Sequence, residues 1–386
     1  MSDLWAERAD LAEAAVTSRH VRRLWALPGT ALGVVGWPAV RRERLFLTWH
    51  YWWQAHLIDL AVDAAEREAT PRRRRRVVRL TRSHRIRNLL GWTNNYFDDM
   101  AWLGLALERA QRHLYVDRRD ALAVLENELF EAWAPERGGG IPWRRRDDFY
   151  KTPANGPAGL LLARTGKLLR AQEMADWIHE TLRDPETGLI FDGIRGGRVE
   201  RAVYTYCQGV VLGLETELAV RMGEPRHRER VHALVEAVDT QLADRGVITG
   251  GGGGDGGLFN GILVRYLAMV ATTLPVVDVE DERARRLAAR IVLASAQAAW
   301  ANRLQIEGLP LFGRDWSVQA RLPGTAPGIA RFSGGTVRSS GVAERDLSVQ
   351  LSGWILMESA YAVATERVPG PSSARPDGTH FENGYR

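Results

Sequence analysis

Along most of this chain, apolar residues recur at three- and four-residue spacing, the period of a helix that turns one face to a core. The pattern predicts about twelve helices, at roughly 3–19, 43–67, 72–89, 97–114, 117–134, 155–166, 168–183, 203–222, 224–243, 257–274, 281–303 and 345–364. Alternation of period two, the mark of a half-buried strand, is nearly absent. Proline and glycine punctuate the pattern, as at Leu27-Pro28-Gly29, Thr70-Pro71, Gly138-Gly139-Gly140 and the run from Gly250 to Gly257.

The segments differ in how much of their surface is apolar. Those at 43–67, 203–222, 257–274 and 345–364 are apolar or small nearly all round, whereas 72–89, 224–243 and 281–303 carry charge on a broad face. The first kind belongs inside and the second outside. Twelve helices joined mostly by short links therefore predict an all-α fold, six antiparallel hairpins closed into an (α/α)6 barrel with an inner and an outer ring. Two irregular stretches, Glu136 to Asn155 and Leu304 to Glu344, have the length that usually serves function, and both contain tryptophan and glycine. They are expected to shape a cleft. No low-complexity linker divides the chain, which predicts one domain over 1–366 and a flexible tail over 367–386.

Composition narrows the function classes. Of 386 residues, 45% are hydrophobic, enough for a sizeable core and against disorder. The net charge of +5 would suggest a nucleic-acid partner, but all 52 basic residues except Lys151 and Lys167 are arginine. That bias, beside abundant Ala, Gly and Val, reads as GC-rich codon usage. The 47 acids offset most of the charge, so no nucleic-acid partner is expected. The single cysteine, Cys207, excludes an intrachain disulfide and a Cys-based metal site. The N-terminus lacks a basic stretch followed by an apolar one, and no apolar run approaches the roughly 20 residues needed to span a bilayer. A cytoplasmic protein is expected. Fourteen tryptophans are about three times ordinary usage. Helix–helix packing explains them, and so does a carbohydrate cleft, where the C–H face of a sugar stacks on an aromatic ring.

The candidate chemistry lies in Asn94-Asn95-Tyr96-Phe97-Asp98-Asp99-Met100-Ala101-Trp102. Asn94 or Asn95 could cap a helix there, and acids in a first turn are stabilised by the helix dipole. One acid would need no further account. Two adjacent acids among aromatics repel each other and lose solvent, which raises one pKa and leaves its partner ionised. That split supplies a proton donor and a nucleophile, the pair that glycoside hydrolysis requires.

Asp98-Asp99-Met100-Ala101-Trp102 resembles the Asp-Asp-x-x-Trp signature of glycoside hydrolase family 76, the endo-α-1,6-mannanases. Further stretches resemble that family in the same order: Tyr51-Trp52-Trp53-Gln54, Gly138-Gly139-Gly140-Ile141-Pro142-Trp143, Thr205-Tyr206-Cys207-Gln208-Gly209, and Phe259-Asn260-Gly261-Ile262-Leu263-Val264-Arg265-Tyr266. The resemblance runs from about residue 45 to 270 and more weakly to 364. It implies a six-hairpin α-barrel and a retaining hydrolase of α-1,6-linked mannan or manno-oligosaccharide, with Asp98 as nucleophile and Asp99 as general acid/base. Two carboxylates suffice for that hydrolysis and no metal-ligand cluster is visible, so no metal and no cofactor are expected. Two positions depart from the family pattern: Cys207 replaces a usual Asn, and Asn260 a usual Lys.

Asn95, Trp143, Asp192, Tyr206, Asp255 and Trp316 are the further sugar-contact candidates. Each has a structural alternative: a cap for Asn95 and Asp255, a turn for Asp192 in Asp192-Gly193, and packing for Trp143, Tyr206 and Trp316. The arginines from Arg72 to Arg87 form either an ordinary outer-ring face or a contact for anionic lipid headgroups or an acidic partner. The glycine run at 250–257 lacks the Gly-Lys-Ser/Thr ending of a phosphate loop. Two rival classes remain. A non-catalytic glycan-binding toroid would keep the aromatic cleft and tolerate loss of either acid. An all-α, Mg-dependent isoprenoid synthase would need a second Asp-rich motif, and position 102 is Trp rather than a further acid.

Overall fold

The computed structural model describes residues 2–324 and 328–366. Its twelve long helices are α1 (Ser2–His20), α2 (Tyr51–Arg67), α3 (Pro71–Arg87), α4 (Phe97–Leu114), α5 (Arg119–Glu131), α6 (Thr152–Arg164), α7 (Leu168–Leu182), α8 (Thr205–Met222), α9 (Pro225–Gln241), α10 (Phe259–Thr273), α11 (Val279–Ala301) and α12 (Leu347–Glu366). The even-numbered helices each pack on their even-numbered neighbours, and α12 returns to α2, so they close an inner ring. The odd-numbered helices lie outside it. The fold is an all-α toroid of six hairpins. Five are consecutive in sequence, and the sixth pairs α1 with α12, so the two ends of the described chain close the barrel.

Burial explains the division. In α8 every residue from Tyr206 to Ala219 is buried, whereas α9 buries only His227, Val231, Leu234, Val235, Ala237 and Val238, one stripe of a helix. Inner helices also approach closely. A Cβ on Gly209 would stand 2.8 Å from the Leu263 backbone, and one on Gly213 2.4 Å from the Tyr266 ring, so glycine lets α8 lie against α10. Local signals set the helix starts. Thr70 caps α3 by accepting from Arg73 N–H, with Pro71 in the first turn, and Asp278 and Asp281 cap α11 reciprocally.

Two local expectations change. The helix predicted from 43 begins at Tyr51, because His50 is left-handed at φ 47° and Arg41–Arg44 is a separate turn. Short strands join the helices. β1 (Phe149–Lys151), β2 (Phe191–Arg195) and β3 (Arg198–Val203) form one antiparallel sheet, β4 (Leu304–Ile306) pairs with β5 (Leu309–Leu311), and β6 (Arg331–Ser333) pairs with β7 (Thr336–Arg338). Segments of three to six residues, several exposed on both faces, are too short to show an alternating pattern. The expected tail at 367–386 lies outside the described residues. Among the described residues no helix is long and apolar enough to cross a membrane.

Candidate active site

The acid pair sits in the first turn of inner helix α4, so it opens into the centre of the ring. Tyr96 occupies the cap position, and no side chain caps this helix. Asn94 has another task. Its Oδ1 accepts from Tyr96 N–H at 2.8 Å, and its Nδ2 donates to Asp99 Oδ2 at 2.5 Å. Asn95 is exposed and lies outside the cleft lining; its carbonyl accepts from Arg145 N–H at 3.0 Å, tying two loops together. Of the two amides, the one at the acids is therefore Asn94.

Asp98 is held as an acceptor. Its Oδ1 accepts from Asp99 N–H and its Oδ2 from Trp143 Nε1–H, each at 2.9 Å. Trp143 is fixed from several sides. Its amide donates to Phe149 at 2.7 Å, its carbonyl accepts from Phe97 at 2.9 Å, and Gly335 of the β6–β7 turn leaves room for its ring. The Lys151 ammonium stands 4.8 Å from the centre of the Trp143 ring and 3.2 Å from Asp192 Oδ2. Asp255 knits the opposite wall. It accepts from Trp52 Nε1 at 2.9 Å, Trp53 Nε1 at 3.0 Å and Val337 N–H at 2.6 Å. Tyr206 and Phe259 stack face to face, 3.8 Å apart, along the same lining.

Electrostatics separates the two acids. Burial pushes Asp98 up to about 7, while Lys151, the Asp99 amide and the Trp143 indole pull it back. Asp99 is driven well above the ordinary carboxylate range by burial and then by the charge of Asp98, with only the Asn94 amide favouring its anion. Asp98 is thus the easier to ionise and Asp99 the one that keeps a proton. Burial also raises Asp255 to about 6 against its three donors. Asp192 is raised by burial and lowered by Lys151.

The remaining candidates fall into place from this geometry. Trp143, Tyr206 and Asp255 line the cleft with the acid pair. Asp192 lies behind Lys151, outside the lining, where its ion pair positions that ammonium. Trp316 is a correction: it is 2% exposed within the hydrophobic core and takes no part in the cleft. Its loop folds back over α11, and Asn302 Nδ2 donates to its carbonyl at 3.0 Å, so the ring fills a packing site. Cys207 is buried with Sγ 4.0 Å from Asp192 Oδ1, and burial keeps its thiol protonated. Asn260 accepts from Thr205 Oγ1 at 2.8 Å and donates to the Gly250 carbonyl at 3.0 Å, joining α8 to the glycine run.

Reading the sequence missed Lys151, took Asn94 only as a possible helix cap, and noted Trp52 only within an aromatic motif. Lys151 left a signal: it is one of two lysines in a chain whose other cations are all arginine. A larger hollow opens at the opposite end of the inner helices, lined by Asp59, Asp63, Arg109 and Arg265 among others. Its charges neutralise each other, as in Arg109–Asp59 and Arg265–Asp63, both at 2.6 Å. Among the described residues no three His, Cys, Asp or Glu side chains come together in a way that could hold a metal ion.

The sequence model of Glycosyl hydrolase family 76 matches residues 11–328. No curated protein matches the chain. Among solved structures, an α-1,6-mannanase of this family from Salegentibacter sp. HEL1_6 superposes with a TM-score of 0.77 at 26% identity, covering 94% of this chain and 100% of that one. An inactive variant of that mannanase in complex with α-1,6-mannotetrose matches with a TM-score of 0.77 at 26% identity, covering 93% and 99%. A Listeria innocua protein shares the fold with a TM-score of 0.76 at 23% identity over 95% and 99%.

Proposed function

The chain belongs to glycosyl hydrolase family 76, and from that premise we propose that it is a retaining glycoside hydrolase acting on α-1,6-linked mannan or manno-oligosaccharide, with Asp98 as nucleophile and Asp99 as general acid/base. The observation that carries the reading is the unequal environment of two adjacent half-buried acids. Three groups favour the Asp98 anion, whereas Asp99 bears the repulsion of its neighbour. The mannan preference is supported by the mannanase relative and its α-1,6-mannotetrose complex.

The steps follow from these environments. An Asp98 oxygen bonds to the anomeric carbon as the glycosidic C–O bond breaks, and the Asp99 proton passes to the departing sugar oxygen. The resulting ester carries no charge at Asp98. The repulsion that raised Asp99 then disappears, so its carboxylate becomes a usable base in the second step. It takes a proton from water as the water oxygen attacks the anomeric carbon and the ester bond to Asp98 breaks. Two inversions leave the configuration retained. Trp143 and the Tyr206–Phe259 stack offer apolar faces for the sugar rings, and the Trp143 indole meanwhile holds Asp98 in place.

The test is incubation with a panel of α-linked manno-oligosaccharides. Products are read by mass spectrometry and the first-formed anomer by NMR, with Asp98→Asn and Asp99→Asn as controls. Cleavage of α-1,6 linkages with retention is expected from the wild type alone. An inverted product would overturn the role assignment, and tight binding without cleavage would favour a glycan-binding toroid.

A further inference from the structure

Outer helix α3 carries Arg72, Arg75, Arg79 and Arg82 at spacings of three, four and three residues, so they form one exposed stripe. The segment between α1 and α2 packs beside the C-terminal half of this helix. Ala31 N–H donates to Ser83 Oγ at 2.8 Å, and Arg87 Nε donates to the Phe46 carbonyl at 2.8 Å. That segment adds the exposed arginines Arg22, Arg23, Arg41, Arg42 and Arg44. Acids are nearly missing from both stretches. Residues 69–97 contain none, and residues 21–50 contain only Glu43, which is buried against Arg345. Among the described residues, Arg23, Arg41, Arg42, Arg75, Arg79 and Arg82 have no carboxylate within 4.0 Å; the carboxylate that does reach this face is Asp120, 3.9 Å from Arg85.

The same face exposes large apolar side chains. Leu89 and Leu90, in the turn after α3, are 89% and 66% exposed. Trp25, Leu27, Leu45 and Leu47 are exposed on the adjoining segment. Both parts are tied to the end of α3: Trp25 Nε1 donates to the Leu45 carbonyl at 2.9 Å, the Arg87 guanidinium lies 6.0 Å from the Trp25 ring, and Arg85 Nε donates to the Leu90 carbonyl at 3.0 Å. The leucine turn is built rather than loose. Leu89 and Leu90 adopt φ of 54° and 65°, a left-handed conformation that costs a residue with a Cβ. Leu90 N–H bonds to the Arg85 carbonyl at 2.8 Å, and the Asn88 amide bridges to the Gly91 and Thr93 carbonyls. The backbone is held so that both leucines point into solvent.

We propose that this face docks on an anionic lipid bilayer. Unpaired arginines complement phosphate headgroups, while leucines and an indole beside them enter the boundary between headgroup and acyl chain. A soluble polyanion would satisfy the arginines and leave the leucines in water, so the combination selects lipid. The turn leads directly into Asn94 and the acid pair, which puts the docking face on the cleft-bearing end of the toroid.

The test is co-sedimentation of the whole protein with vesicles of phosphatidylcholine alone or with about 30% phosphatidylglycerol, at roughly 0.05 M and 0.5 M salt. Binding is expected only to the anionic vesicles and should be lost at high salt. Arg75→Ala/Arg79→Ala/Arg82→Ala should weaken it about 100-fold, since each surface arginine contributes about fivefold. Leu89→Ser/Leu90→Ser should weaken it about tenfold while leaving retention on heparin unchanged. Unaltered melting temperatures and turnover of soluble oligosaccharide show that the variants fold. Absence of binding to anionic vesicles at low salt overturns the proposal, and so does vesicle binding that the leucine variant leaves unchanged, which would mark a general polyanion contact.

Discussion

Replacing Asp98 by Asn should shift stability progressively in the variant's favour as pH rises. The half-buried, desolvated carboxyl holds its proton up to about 7 in the folded state, against about 4 in an unfolded chain. Its folded pKa is raised, so its contribution to stability is complete below about pH 4 and is lost as pH climbs through 7. Linkage puts the loss at roughly 1–2 kcal/mol at about pH 5 and about 4 kcal/mol at about pH 8.5. An amide has no charge to desolvate, so whatever else Asn changes is the same at both pH values. The advantage of Asp98→Asn should therefore grow by roughly 2–3 kcal/mol across that interval, which for a chain of this size is about 3 °C in melting temperature. Removing the Asp98 charge also relieves Asp99, which adds to the gap in the same direction. Calorimetric melts of both proteins across that pH range measure it. A difference in melting temperature that stays flat or shrinks with pH would refute the claim that Asp98 is a desolvated acid with a raised pKa.

On the proposed mannan substrate and mechanism, Asp99→Ala should slow cleavage by several orders of magnitude yet spare glycosylation by a dinitrophenyl mannoside, and azide should restore turnover as a retained α-mannosyl azide; mannan-cleavage rates left intact would remove Asp99 from the mechanism. Lys151→Met removes the leading charge that lowers Asp98, so the acidic limb of the kcat/KM profile should move to higher pH, and a limb that stays in place would separate Lys151 from the nucleophile. Gly335→Ala, at φ 95° with a Cβ 2.4 Å from the Trp143 ring, should displace that indole and cut kcat, while near wild-type kcat would mean that the β6–β7 turn yields freely. His56 is held neutral by burial, its pKa lowered to about 3. The stability it contributes is full above about pH 6.5 and lost as pH falls toward 3, so His56→Gln should flatten the acid side of the melting profile, with an equally steep fall counting against it.

Sequence alone determined the ring. Helical periodicity located twelve helices, and apolar coverage assigned α2, α8, α10 and α12 inside and α3, α9 and α11 outside, because burial on one face or on all faces must be written into consecutive residues. It also marked Asp98 and Asp99, since two adjacent acids among aromatics are a local conflict that any fold must resolve. Only the tertiary structure decided what completes their surroundings. Trp143 lies 45 residues away and Asp255 in another hairpin, so the indole that donates to Asp98 and the carboxylate that accepts from Trp52 reach the cleft only when the ring closes. Trp316 misled for the same reason: a tryptophan in an irregular loop looks exposed until the loop is seen folded onto α11. Which of two adjacent amides braces the acids depended on a backbone turn, and which acid keeps its proton depended on Lys151, 53 positions from Asp98 in sequence and its leading counter-charge in space. Periodicity is a property of neighbours along the chain, whereas desolvation and charge pairing sum over neighbours in space, and those exist only once the toroid has closed.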